Sequence, residues 1–271
     1  MAQLLKSIGL ETDYYKELII WSLIFSRVFV MTLLTPFMGS RILPGRARMA
    51  LSMALSIYLY QVIGPPLLDF VPEDKSILFA LYFKEVFFGF TIGLITLMVF
   101  HAFEAAGNVV DNQRGGANAQ LFIPSLGQVS LFGLFNFWFA VALFLAIGGH
   151  RYFFEAFFLS FQSVPILQLP NLTPGFSPFL ELVVRLSGDV LLIAMQLSAP
   201  VLIAVFLVDT VLGIANKMAP QINVFELGFG IKGYVAPLMI YVTLLVFATQ
   251  MNHIMKMMIE SVRKVSELFA N

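Results

Sequence analysis

Residues 77–103 read ILFALYFKEVFFGFTIGLITLMVFHAF, an apolar run whose only acidic or basic residues before its last turn are Lys84 and Glu85. A helix that crosses a bilayer needs about 20 predominantly apolar residues, and this run exceeds that length. A strand of a membrane barrel would instead have about 10 residues of alternating polarity. The stretch therefore predicts a membrane-spanning helix.

Five further apolar segments accompany this one, at 18–38, 47–63, 131–149, 179–208 and 234–255. Only 12% of the 271 residues are charged, about half the share that is usual in soluble domains. Helices and closed barrels are the only structures that satisfy their backbone in lipid. The pattern predicts an all-α polytopic membrane protein of about six long apolar helices.

Proline and glycine residues lie between these apolar segments. Four prolines between 164 and 178 predict that this stretch is not helical. The aromatic sequence at 150–163, edged with charge, predicts a short interfacial helix. No repeat or linker divides the chain, so residues 1–271 are predicted to form a single membrane domain.

Composition argues against several function classes. Sixteen basic and 16 acidic residues cancel, which leaves no net field to attract nucleic acid, and the absence of cysteine excludes thiolate chemistry. Three scattered histidines form no recognisable metal or catalytic set, so we predict no enzyme activity, cofactor or metal. GFGIKG at 228–233 matches a dinucleotide fingerprint but follows no strand, and we interpret it as a break before the last helix.

Several charged residues lie inside the apolar segments, where each costs a few kcal/mol unless it faces protein or water. They are Arg27, Lys84, Glu85, Glu181, Arg185 and Asp189. The last three are spaced four residues apart and so share one helix face. We favour a structural ion-pair seam between helices, and a proton or ion relay is the alternative.

Two glycines, Gly89 and Gly93, form a GxxxG pattern within the run at 77–103. Without side chains at these positions another helix can approach closely. The pattern predicts a helix-packing face and fits assembly with neighbouring subunits.

The least regular stretch is DNQRGGANAQLFIPSLGQVS at 111–130, a polar, glycine-bearing segment between two apolar helices. Irregular backbone at membrane depth is tolerated only where it is buried in protein or lines a watery cavity. The segment is therefore either a surface loop or a re-entrant, gating loop.

From this loop outward, the chain resembles the FliR/SctT family, the export-gate subunit of type III secretion systems, over nearly its whole length. The matching residues are Arg27, Pro36, Gly39, Pro44, Arg48, Glu85, Gly89, Gly93, Ala106-Gly107, DNQRG at 111–115, Gly148-Gly149-His150, Ala199-Pro200 and Asp209. The most specific match is APQINVF at 219–225 followed by Lys232, which contains the motif residues Pro220, Gln221 and Asn223. DNQRG resembles the virulence branch more than the flagellar branch.

The resemblance implies a non-enzymatic, multi-pass core subunit of the type III protein export gate in the bacterial inner (cytoplasmic) membrane. Its helices would form hairpins within a helical hetero-oligomeric assembly rather than clean crossings. The implied partners are two smaller subunits of the FliP/SctR and FliQ/SctS types, a switch subunit of the FlhB/SctU type and the export-gate nonamer of the FlhA/SctV type. Unfolded secreted proteins would be the substrates, with membrane lipid around the assembly and no nucleic acid.

The resemblance also implies that the loop at 111–130 is a plug that closes the channel until substrate passes. Its expected gating residues are Gln113, Arg114, Gly115, Gly116, Leu121, Phe122, Ile123 and Pro124. Glycines would let the backbone bend into the pore, and the apolar group would exclude water.

The competing hypothesis is a stand-alone secondary transporter with a midplane ion site at Glu85 or Asp189. Transporters usually show paired halves with matching broken helices, and the sequence shows no such symmetry.

Overall fold

The computed structural model describes residues 14–39, 42–115, 130–170 and 176–270. Within these ranges the regular structure is entirely helical, which confirms the all-α prediction. The α-helices are α1 (Tyr14–Leu34), α2 (Gly45–Ile63), α3 (Lys75–Gln113), α4 (Leu131–Ala146), α5 (Gly149–Ser163), α6 (Phe176–Met218) and α7 (Val224–Leu268). A 3₁₀ helix, Pro65–Phe70, follows α2.

Among the described residues, four helices are long and apolar enough to cross a membrane: α1, α3, α6 and the Val224–Leu244 part of α7. The bent pair of α4 and α5 adds a fifth if it is counted as one span. The predicted segment at 47–63 does form a helix, but α2 also carries Arg46, Arg48 and Gln61. These polar residues lower its apolar character, so the predicted number of about six is slightly too high.

A glycine turn separates α4 from α5. Gly148 has φ +78°, a left-handed conformation that glycine adopts without the clash of a Cβ atom and that commonly ends helices. The two helix axes differ by 78° across this break. The predicted apolar segment at 131–149 and the predicted short helix at 150–163 therefore correspond to one sharply bent pair.

Two expectations about breaks in the chain need correction. Residues 164–170 are not helical, as predicted, but α6 begins at Phe176 and so includes Pro178 in its first turn. A proline is tolerated there because the amide of a first-turn residue has no intrahelical acceptor. The break predicted at 228–233 is wrong, since α7 runs through it without interruption. Each glycine weakens a helix by only about 1 kcal/mol, and in lipid a broken backbone costs more.

The chain divides into two compact units, and their boundaries fall inside helices α3, α5, α6 and α7 rather than in linkers. The single-domain expectation stays a prediction. The first unit comprises the described parts of 1–97, 154–179 and 261–271. Its core includes the buried face of α1 and edge-to-face contacts among Phe87, Phe88, Phe179 and Phe269.

The second unit comprises the described parts of 98–153 and 180–260. Its core packs the end of α3 against the middle of α6 and α7, through Val110, Val201, Val205, Ala236 and Ile240. Phe132, at the start of α4, packs against this cluster. This core lies beside the helix ends from which the segment at 111–130 departs.

Candidate functional site

A buried charge cluster occupies the first unit. Arg27 of α1 and Glu85 of α3 are each 0% exposed. Arg27 Nε donates to Glu85 Oε2 at 2.5 Å, and Arg27 Nη2 donates to Glu85 Oε1 at 3.1 Å. This two-point pairing is the strongest geometry available to a guanidinium and a carboxylate. It ties α1 to α3 across a sequence separation of 58 residues.

The same cluster contains a second cation, the buried ammonium of Lys84, which lies 2.7 Å from Glu85 Oε1. The two cations and one carboxylate therefore give the cluster a net charge of +1. Lys84 Nζ donates to the carbonyls of Pro165, Ile166 and Gln168 at 2.7–3.0 Å. These acceptors follow the C-terminus of α5, where carbonyl groups lack intrahelical partners and the helix dipole is negative.

Arg27 completes the cap of α5. Its Nη1 donates to the carbonyl of Ser160 and its Nη2 to the carbonyl of Val164, both at 3.1 Å. The guanidinium also lies 4.2 Å from the ring centre of Phe161, a cation–π distance. Every charge in the cluster is therefore matched by protein groups. Glu85 Oε2 accepts from Arg27, and Oε1 lies within bonding distance of both Arg27 and Lys84, so the carboxylate is paired inside the chain.

The second predicted charge series lies in a different environment. Glu181 and Arg185 are exposed and Asp189 is half-buried on the outer side of α6. None of the three forms an ion pair with another residue in the part of the chain that the structure describes. The expected seam between helices of this chain is therefore not formed among the described residues.

The glycines of the GxxxG pattern face α1. A Cβ atom on Gly89 would overlap the backbone carbonyl oxygen of Arg27, and one on Gly93 would lie 2.7 Å from Leu34 Cβ. We expected this face to serve neighbouring subunits, but the described structure uses it inside the chain. The close approach brings Arg27 within reach of Glu85.

A second polar centre lies where α3 ends and α4 begins, and Asp111 is at its middle. The buried carboxylate receives a bond from Arg114 Nε to Oδ1 at 2.7 Å. Its Oδ2 accepts from Ser130 Oγ at 2.5 Å and from the Phe132 amide at 2.8 Å. Ser130 in turn caps α4, because its Oγ accepts from the Gly133 amide at 2.9 Å.

The backbones of α3 and α4 touch at this junction. A Cβ atom on Gly107 would overlap the Phe132 carbonyl, and one on Gly133 would overlap Asn108 Oδ1. Arg114 also stacks over the Phe132 ring at 4.6 Å. The helix ends are thus held by small-residue packing and by two hydrogen bonds from the start of α4 to the Asp111 carboxylate, which also pairs with Arg114.

Three of the eight expected gating residues lie in the described part of the chain. Gln113 is the exposed last residue of α3, and Arg114 is half-buried against Asp111. Gly115 has φ +95°, which ends the helix in a conformation suited to glycine. The remaining expected gating residues lie outside the described residues, namely Gly116, Leu121, Phe122, Ile123 and Pro124.

The family-motif residues lie in the turn between α6 and α7 and in the N-terminal part of α7. Pro220 and Gln221 lie in the exposed turn. Asn223 Oδ1 accepts from the Glu226 amide at 3.3 Å, and Glu226 Oε2 accepts from Asn223 Nδ2 at 3.4 Å, an arrangement like a capping box. Lys232 Nζ lies 2.5 Å from Asp209 Oδ1, which links α7 to α6.

Four of the residues that make the α3–α4 junction were not predicted as site residues: Gly107, Asp111, Ser130 and Gly133. The sequence does carry one signal, because a serine directly before an apolar run is typical of a helix N-cap. Elsewhere, no group of three or more His, Cys, Asp or Glu residues that could hold a metal ion occurs among the described residues.

Comparisons with known proteins match nearly the whole chain. The profile of the family described as "Bacterial export proteins, family 1" covers residues 18–258. The chain is 30% identical over 249 residues to the flagellar biosynthetic protein FliR of Bacillus subtilis, which covers 91% of this chain and 94% of that protein.

Relatives from virulence systems match as well. The Yop proteins translocation protein T of Yersinia pestis is 30% identical over 230 residues, or 84% of this chain and 86% of that protein. The surface presentation of antigens protein SpaR of Shigella flexneri is 29% identical over 164 residues, or 60% of this chain and 61% of that protein. Flagellar and virulence relatives match at equal identity, so the preference for the virulence branch stays a prediction. The chain belongs to the FliR/SctT family, family 1 of the bacterial export proteins.

Proposed function

We propose that this protein is a non-enzymatic core subunit of a type III protein export gate in the bacterial inner membrane. The observation that carries the proposal is the length of α6 and α7, which have 43 and 45 residues. At 1.5 Å per residue each is about 65 Å long. The hydrocarbon core of a bilayer is only about 30 Å thick, so a bilayer crossed at right angles would cover about half of each helix.

The rest of α6 needs another cover, because large apolar residues are exposed in every part of the helix. Large apolar residues are exposed near its start, in its middle and at its end, as at Leu180, Leu191, Phe206 and Met218. Exposed apolar surface on this scale is typical of a protein interface. The outward charges at 181, 185 and 189 would be costly in lipid and are better matched by a protein neighbour.

The partners follow from family membership. The relatives are flagellar and virulence export proteins by name. We infer assembly with subunits of the FliP/SctR and FliQ/SctS types, near the FlhB/SctU-type and FlhA/SctV-type components, around a path for unfolded protein substrates. A stand-alone transporter with an ion site at Glu85 is disfavoured, because that carboxylate is buried and paired with Arg27 and Lys84.

Within this assembly the segment at 111–130 is the proposed plug. Support comes from the second unit, where α3 and α4 are held side by side at Asp111, so both ends of the segment start from one place. A chain returning to its starting point can present its central residues as a loop. Gly115 and Gly116 allow the bend, and Leu121, Phe122 and Ile123 supply an apolar seal.

Deleting residues 116–120 tests this function. We expect the hetero-complex to assemble, because the deletion leaves every described helix intact, while cell membranes leak ions and small solutes. A matched control deletes residues 171–175, another five residues outside the described helices, and should leave the membrane tight. An assembled complex whose 116–120 deletion stays as tight as the wild type would refute the plug.

A further inference from the structure

We infer that Glu181, Arg185 and Asp189, here called the α6 row, dock a helix of a neighbouring subunit that carries the complementary row. That helix would present a basic, an acidic and a second basic residue at four-residue spacing. The inference rests on the function proposed above and names the chemistry of the neighbour at the outward surface of α6. All three residues of the row belong to the second unit.

The α6 row follows one face of a regular helix. Residues four apart on an α-helix are neighbours, and the two acids lie about 12 Å apart along the axis at 1.5 Å per residue. Glu181 and Arg185 are exposed and Asp189 is half-buried. Because none of them has an ion-pair partner elsewhere in the described chain, the row presents its charges outward.

The apolar residues beside the row suit neither water nor lipid. Val184 and Leu192 are 72% and 56% exposed, and each lies three residues after one of the acids, on the same side of α6. Water would leave these apolar side chains uncovered, and lipid would surround the charges at a high cost. A protein neighbour can match both kinds of side chain.

The charges of the α6 row determine what the neighbour must carry. Two acids and one base give the row a net charge of −1. The same row of a second copy would bring four acids against two bases, so two acids would lack a counter-charge. A row of base, acid and base neutralises all three residues. Its charge order is the same in both directions, so the docking helix can run parallel or antiparallel to α6.

The centre of the row is open to close approach. Gly188 lies between Arg185 and Asp189, and a Cβ atom there would meet nothing within 4 Å. No atom of the described chain therefore covers the row at this point. A small residue at such a position lets the backbone of another helix come near, which would bring the opposing charges within pairing distance.

This chain itself carries a row of the complementary order, Lys256, Glu260 and Lys264 on α7. All three residues are exposed. Among the described residues after Val246, no large apolar side chain is exposed. This α7 row therefore fits contact with water and offers nothing apolar to the α6 row. A second copy that docks through its α7 row is the alternative occupant, and the experiment below separates it.

A designed peptide tests the inference. The matching peptide is a labelled helix of about 20 leucine and alanine residues with lysine, glutamate and lysine at four-residue spacing. Fluorescence anisotropy measures its binding to the detergent-solubilised full chain at low salt. The variant Glu181→Lys/Arg185→Glu/Asp189→Lys should bind it about tenfold more weakly than wild type, because three attractive pairs become repulsive.

The control neutralises the α7 row. Lys256→Gln/Glu260→Gln/Lys264→Gln should leave binding of the matching peptide unchanged. In this background a reversed peptide, with glutamate, lysine and glutamate, should bind about tenfold more weakly than the matching peptide. That comparison leaves the α6 row intact, so it decides the question even if the charge-inverted variant does not fold. Equal affinity for the two peptides, or no binding of the matching peptide, overturns the inference.

Light scattering of the solubilised chain alone tests the second copy. We expect the same molecular mass for the wild type and the variant with the neutralised α7 row. A wild-type dimer that this variant abolishes would assign the α6 row to a second copy and overturn the inference. The proposed function fails separately. If the peptides discriminate but no hetero-complex can be purified, the proposed function falls and the chemistry of the row stands. If the complex is purified but the peptides bind alike, only the present inference falls.

Discussion

Arg27, Lys84 and Glu85 form a buried cluster in which two cations share one carboxylate. Burying a charge is costly unless it is paired and its remaining hydrogen-bonding groups are satisfied. Here the carbonyls after α5 accept the donors that Glu85 does not take. The cluster joins α1, α3 and the end of α5 within the first unit, and we expect it to stabilise that unit.

Glu85→Gln should therefore destabilise the protein severely, by about 3–5 kcal/mol, because two buried cations lose their only counter-charge in the cluster. The thermal unfolding of the detergent-solubilised protein, together with the yield of folded protein, measures the effect. Glu181→Gln is the matched control, since Glu181 is exposed, and it should change stability by less than about 0.5 kcal/mol. Equal stability of the two variants would contradict a structural role for the buried pair.

At the level of elements, α1 packs on α3 through glycines. In lipid the hydrophobic effect contributes little to the association of apolar helices. Helix association therefore depends on close packing and buried polar contacts. Gly89 lets the backbone of α1 approach α3 at Arg27, directly beside the charge cluster. Thr32 and Ser52 connect α1 to α2 through a hydroxyl pair 2.7 Å apart. Packing and polar contacts thus act together at the same helix faces.

We expect Gly89→Ala to lower stability by about 1–3 kcal/mol, because the added methyl group would overlap the Arg27 carbonyl. Gly188→Ala in α6 is the control, since a Cβ atom there meets nothing within 4 Å. The higher helix propensity of alanine should make that variant neutral or more stable by up to about 1 kcal/mol. Unfolding temperatures of both variants in detergent test this; a Gly89→Ala protein as stable as Gly188→Ala would show that the close approach is not needed.

For the whole molecule, the main feature is the outward surface of α6 and α7. Both helices are about twice as long as the hydrocarbon core is thick. Glu181, Arg185 and Asp189 lie on this surface without an ion-pair partner among the described residues. A surface that is apolar over such a length and also charged fits contact with protein better than contact with lipid.

Arg185→Glu should reduce recovery of the hetero-complex severalfold. Positions 181, 185 and 189 would then all be acidic on the surface that we propose contacts a neighbouring subunit. The level of the chain itself should stay close to wild type, since Arg185 is exposed. Arg185→Lys keeps the charge and should recover most of the complex. Native gels of membranes carrying each variant make the measurement. Normal complex recovery with Arg185→Glu would instead favour a chain that functions alone.

Much of the architecture follows from the sequence by itself. The apolar runs predict helices and a membrane environment because hydrogen bonding within a helix is local and lipid offers no alternative partner for the backbone. The left-handed turns at Gly115 and Gly148 also lie at helix ends, where glycine is expected. Family membership was predicted from the motifs near 111–115 and 219–225 and is confirmed by the comparisons.

Only the tertiary structure shows which groups each charged residue pairs with. Arg27 and Glu85 are 58 residues apart and become buried together, whereas the regularly spaced series at 181–189 faces outward. The GxxxG face could have served another subunit, but it packs on α1. Asp111 belongs to the DNQRG motif, but the motif does not indicate that its carboxylate accepts from donors 3 to 21 residues away. Burial and pairing depend on which faces long-range packing brings together, and a linear pattern specifies only which residues share a face.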